Sequence, residues 1–252
     1  MPAKLHPLAR LLSGRRSDIS ALGNSIQYLA GTLSGLINQF SRLNLSISSN
    51  PQVSILGPYL ARGILEVGFT LLLARLDPFR VLVLREVQQS PEYDLEARIN
   101  SALQWKGDFL DDKVNDLWKA SRKAKEMTRA LLGDYHDHVF WRPSLTRLLD
   151  IAPGGRGGQW MADLRLTTID SFAPKMRGRA ERVYSKCSKG VHHEFVLPLS
   201  AYYDSREVRE MQREVIEICG LLGLVLNTGG HVPFPLSTNK ALESFEKIQQ
   251  LV

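Results

Sequence analysis

Residues 204–226 read DSREVREMQREVIEICGLLGLVL. Apolar side chains fall at Val208, Met211, Val215, Ile218, Leu222 and Val225. Steps of three and four place them as one stripe along an α-helix. Asp204, Ser205 and Glu207 make a cap-and-acid start, and Asn227-Thr228-Gly229-Gly230 is a stop signal. The same period recurs in both directions. Upstream, the spacing predicts a short apolar helix over 159–172 and a longer one from Pro174 to about Phe195. An extended piece, Val196–Leu199, separates that helix from Asp204. Downstream, Pro233 and Pro235 hold the chain extended, and Ser237 or Thr238 caps a last helix to Leu251.

The N-terminal half carries the same signature. Ile19, Leu22, Ile26, Leu29, Leu33, Leu36, Ile37 and Phe40 predict a helix from Asp18 to about Leu45, capped by Ser17 or Asp18. A second helix runs over 53–76 until Asp77-Pro78 breaks it. Asp77 then caps, and Pro78 opens, a helix that ends at Ser90-Pro91. Residues 92–132 form a long, polar helical region containing Gly107. The segment Pro153-Gly154-Gly155-Arg156-Gly157-Gly158 is the clearest loop. It lacks the GxxxxGK of a phosphate-binding loop, reads as a flexible connector, and marks the one candidate sub-boundary. No internal repeat and no alternation of strand and helix is found. The expectation is an all-α fold, a single domain over 1–252 built as a helical bundle with one or two short extended segments.

Composition narrows the classes. Hydrophobic residues are 44% and charged residues 23%, which is ordinary for a globular chain and excludes wholesale disorder. The net charge of +6 permits contact with nucleic acid without requiring it. Lys119, Arg122, Lys123 and Lys125 are candidate nucleic-acid contacts, although such a run also describes a solvated helix face. Cys187 and Cys219 show no CxxC spacing, as expected of buried thiols in a reducing, cytoplasmic setting. The most apolar stretch, Ile64–Leu84, is interrupted by Glu66, Arg75, Asp77, Pro78 and Arg80, so it reads as core rather than membrane span.

Four of the six histidines sit in two groups. His136 and His138, beside Asp134 and Asp137, have types suited to metal ligation or to a polar helix start. The second group ends the segment Tyr184-Ser185-Lys186-Cys187-Ser188-Lys189-Gly190-Val191-His192-His193-Glu194. Tyr184, Ser188 and His192 are each four apart, so two hydroxyls and an imidazole stack on one helix face. A hydroxyl beside a histidine sets its tautomer, which serves catalysis and burial equally well. Gly190 within the helix points to a close-packed neighbour or to a local bend.

The pattern Tyr184-x-x-x-Ser188-x-x-x-His192 resembles the final helix motif of HEPN-type proteins, found in bacterial toxin–antitoxin and phage-defence systems. The segment 62–85, with Glu66 in an apolar helix, is compatible with their earlier core helices. The resemblance implies a helical bundle, a homodimer or subunit of a larger complex, and metal-independent cleavage of RNA. In that chemistry an arginine and a histidine, with four to six residues between them, stabilise phosphate charge and transfer protons. Here Lys186 stands at that distance from His192, and lysine lacks the bidentate guanidinium. Three readings follow: a helical binding or regulatory module with an RNA or protein partner, a ribonuclease using His192, Lys186, Tyr184 and Ser188 with no metal or cofactor, and a metal-dependent hydrolase using both histidine groups.

Overall fold

In the computed structural model, which describes residues 5–17, 20–46, 51–91, 93–94, 130–192 and 195–251, one helix organises the rest. This is α3, Pro51–Leu76. Before it come α1 (Pro7–Ser13) and α2 (Ala21–Ser41), and after it α4 (Pro78–Gln89). The chain continues through α5 (Asp134–His136), a π-helical turn (Asp137–Trp141), α6 (Arg142–Ile151) and α7 (Gly158–Arg165). The last three helices are α8 (Phe172–Val191), α9 (Ser205–Leu226) and α10 (Thr238–Gln249). Among the described residues there is no strand, and the fold is all-α as expected. The stretch 196–199, expected to be extended, consists of bends leading into a 3-10 turn at Leu199–Ala201.

α3 packs against α2, α8 and α9, and buries Ala61, Ile64, Leu65, Phe69, Leu71, Leu72 and Leu73. By length and composition it could cross a membrane, but more than half of its most apolar window is buried inside the fold. Packing between helices therefore accounts for its apolarity. Small residues set the approach distances. A Cβ on Gly57 would lie 2.5 Å from Val208 Cγ1, and one on Gly68 would lie 2.9 Å from Cys219 Sγ, so α3 and α9 touch nearly backbone to side chain. At the α3–α8 crossing, a Cβ on Gly190 would meet Pro58 Cβ at 2.8 Å and Pro58 Cγ at 2.9 Å. The glycine is where the second helix passes, as its place in the sequence suggested.

The helix ends follow local chemistry. Asp204 accepts from Glu207 N at 2.8 Å and caps α9. The cap of α2 is Ser20, whose hydroxyl accepts from Gly23 N at 3.0 Å, instead of Ser17 or Asp18. Asp77 precedes α4 without a side-chain cap bond. Arg75, fully inside the core, donates to Leu12 O at 3.1 Å, Pro233 O at 3.0 Å and Asn227 Oδ1 at 3.1 Å. Leu12 O belongs to the carbonyls at the end of α1 that have no partner within that helix. Burial lowers this guanidinium to about 9. The glycine-rich loop is fastened instead of free. Arg156 grips Glu246 at 2.7 and 3.0 Å, Gly157 N donates to the same carboxylate, and Gln249 Nε2 donates to Gly157 O at 2.7 Å. Gly157 has φ 89°, a left-handed backbone that glycine adopts without a Cβ penalty.

Candidate functional site

The Gly190–Pro58 crossing fixes where α3 meets the end of α8. Beyond it, one turn further along α3, Arg62 reaches across to α8. Its Nη1 lies 3.0 Å from His192 Nε2, its Nη2 donates to Tyr184 Oη at 2.9 Å, and its Nε donates to Glu66 Oε1 at 2.9 Å. The guanidinium carbon also sits 4.9 Å from the Tyr184 ring centre. One planar cation thus holds a carboxylate, a phenol and an imidazole. A guanidinium has five N–H groups and these contacts use three, so two remain for an anion.

The electrostatics follow from these neighbours. Burial pulls the Arg62 guanidinium down, but the Glu66 bond and charge, followed by Tyr184, carry it above its ordinary value. It remains a cation across the usual pH range. Because a guanidinium only donates, His192 Nε2 accepts in this contact, which places the ring proton on Nδ1. His192 is the C-cap residue of α8 and is exposed, whereas the Arg62 side chain is 20% exposed and that of Glu66 is 42%.

The residues read from the motif helix part company. Tyr184 and His192 come together, through Arg62 instead of directly. Lys186 does not join them. It forms an ion pair with Glu207 in the first turn of α9, and Tyr203 Oη donates to its backbone carbonyl at 2.7 Å. A lysine six residues before the C-cap histidine points toward α9, while Tyr184 and His192 face α3. Ser188 Oγ is buried without a hydrogen-bond partner and makes no bond to His192. Its neighbours in the stack, Tyr184 and His192, both touch Arg62, so Ser188 lies on the face that α3 covers. Lys119, Arg122, Lys123 and Lys125 lie outside the described residues, as do His193 and Glu194.

In the first histidine group His136 has a local structural role, and His138 is exposed. His136 is buried, with Nδ1 2.9 Å from Ala130 O, while Asp137 pairs with Arg142 at 2.9 Å. Among the described residues no three His, Cys, Asp or Glu side chains converge as metal ligands. Arg62, as the partner of His192, and Glu66, as the partner of Arg62, are the site residues that sequence reasoning missed. Their signal was present, because an Arg-x-x-x-Glu pair within an apolar core helix needs a polar destination. No protein-family model, curated protein or solved structure matches the chain.

Proposed function

We propose that this chain is a metal-independent ribonuclease of the HEPN kind whose arginine comes from α3 instead of from the motif helix. The observation that carries this reading is the 3.0 Å contact between Arg62 Nη1 and an exposed His192. A permanent cation with two unused N–H donors suits a phosphodiester oxygen, and the adjacent imidazole suits proton transfer. Lys189, three residues before His192, is exposed and adds positive charge to the last turn of α8. The test is incubation of the purified chain with RNA in EDTA. Cleavage that persists in chelator and disappears in His192→Ala supports the reading, and RNA left intact by the wild-type chain refutes it.

A second reading is favoured by one observation. Ile55 and Tyr59 are exposed on the face of α3 that also carries Arg62 and Glu66, and Val196 and Leu197 are exposed just after His192. Apolar surface beside a polar site suits a second copy or a protein partner, as in a regulatory subunit of a defence or toxin–antitoxin assembly. A chain that elutes as a complex and binds RNA without cutting it would support this module reading over the nuclease.

A further inference from the structure

Proton transfer in RNA cleavage needs two groups, and the histidine supplies one. Resting on the ribonuclease reading, we infer that Glu66 is the general base and that His192 is the general acid. The hydrogen bonds divide the roles. In the structure His192 Nε2 is engaged by Arg62 Nη1, and the proton this places on Nδ1 leaves no free imidazole lone pair to accept another. Glu66 gives Oε1 to Arg62 Nε, while Oε2 carries no hydrogen bond among the described residues. With its side chain 42% exposed, Glu66 therefore presents an open basic lone pair to an incoming hydroxyl.

Displacement at phosphorus sets a further requirement. Attacking and leaving oxygens lie roughly in line on opposite sides, so base and acid must flank the cation that holds the non-bridging oxygens. Glu66 and His192 bind different nitrogens of one guanidinium, Nε and Nη1. In the complex the phosphate oxygens occupy the two unused Arg62 donors and also displace His192 Nε2 from Nη1. The freed Nε2 takes up a proton from solvent, so the imidazolium can act as the acid. Glu66 Oε2 removes the proton of the ribose 2′-hydroxyl as the O2′–P bond forms. The P–O5′ bond breaks, its electron pair goes to O5′, and His192 gives O5′ a proton. The products are a 2′,3′-cyclic phosphate and a 5′-hydroxyl, with Glu66 protonated and His192 neutral. Exchange with water resets both groups.

A leaving-group comparison assigns the roles. Glu66→Gln and His192→Ala are compared with wild type on RNA dinucleotides and on nucleoside 3′-(4-nitrophenyl phosphates), whose phenolate leaves without help. Gln keeps an oxygen for Arg62 Nε, and a Tm measurement confirms folding of each variant. On RNA each variant loses turnover by about a hundred- to ten-thousand-fold, the usual contribution of an acid or base. On the nitrophenyl substrates His192→Ala recovers most of its loss and Glu66→Gln recovers none. Binding of a 2′-O-methyl oligonucleotide is retained or tightened in Glu66→Gln, which removes a negative charge beside Arg62. Wild-type turnover in Glu66→Gln, or a loss that the better leaving group repairs, overturns the base assignment while the ribonuclease reading stands. A wild-type chain without RNA cleavage overturns both.

Discussion

Replacing Gly190 by alanine tests whether the α3–α8 crossing holds the site together. The added Cβ would stand 2.8 and 2.9 Å from Pro58 carbons and 3.1 Å from Tyr203 Cε2. Carbon–carbon contacts settle at about 3.5–4.0 Å, so the two helices must part by roughly 0.7 Å. The neighbour has little room to yield, because the Pro58 ring is closed onto the α3 backbone. Such overpacking costs about 1–3 kcal/mol. The better helix propensity of alanine offsets about 1 kcal/mol. The net loss of about 1 kcal/mol lowers Tm by roughly 2–4 °C in a chain of this size. The effect on the site is larger than the effect on stability. Widening the crossing carries the 3.0 Å Arg62–His192 contact to the edge of hydrogen bonding. RNA cleavage should then fall by about ten- to a hundred-fold, the scale of a misplacement near 1 Å. Thermal unfolding and initial rates on RNA measure the two effects. Wild-type Tm together with wild-type turnover would refute the argument that this crossing positions the site.

Three further outcomes follow from neighbouring contacts. Lys186→Ala should retain RNA cleavage, since Lys186 is committed to Glu207, and a loss comparable to that of His192→Ala would return it to the catalytic set. Glu246→Gln should lower Tm at neutral pH by loosening the glycine-rich loop, and the difference from wild type should vanish in acid. The Arg156 bond holds the Glu246 carboxyl below its ordinary 4.5, so its stabilisation is present above that value and is lost as pH falls through the lower folded value. Scanning Tm of both proteins from pH 7 to acid checks this, and a difference that grows on acidification contradicts it. Cys187 and Cys219, pushed by burial up to about 12, should resist alkylation at pH 8 in the native protein and react fully in denaturant. Fast native labelling would show that α8 or α9 opens.

The helices were readable because their information is local. The stripe from Val208 to Val225 and the Asp204 cap required only spacing and a first-turn carboxylate, and the structure reproduces both. The Asp77-Pro78 break likewise ended one helix and began the next. The cap of α2 shifted to Ser20 because three serine or aspartate residues, Ser17, Asp18 and Ser20, compete within four positions. The site was only half legible. Tyr184 and His192 announce themselves on one face, but Arg62 comes from 130 residues away and enters through packing that no local pattern encodes. Lys186 shows the converse. Its distance from His192 matched a motif, yet its partner Glu207 sits on another helix, and the charge pair decides where the side chain goes. An arginine in an apolar helix was the available clue, at Arg62 as at Arg75, where burial is compensated by carbonyls and Asn227.

The central claim is that Arg62 and His192 act as one unit on RNA. A double-mutant cycle of Arg62→Ala, His192→Ala and the combined variant, with cleavage measured in EDTA, tests it most directly. Each single variant should lose at least about a hundred-fold, the cost of removing one preorganised donor or proton-transfer group. The double variant should be no worse than the weaker single one. Losses that multiply in the double variant, or an Arg62→Ala chain that cleaves RNA like wild type, would contradict the account.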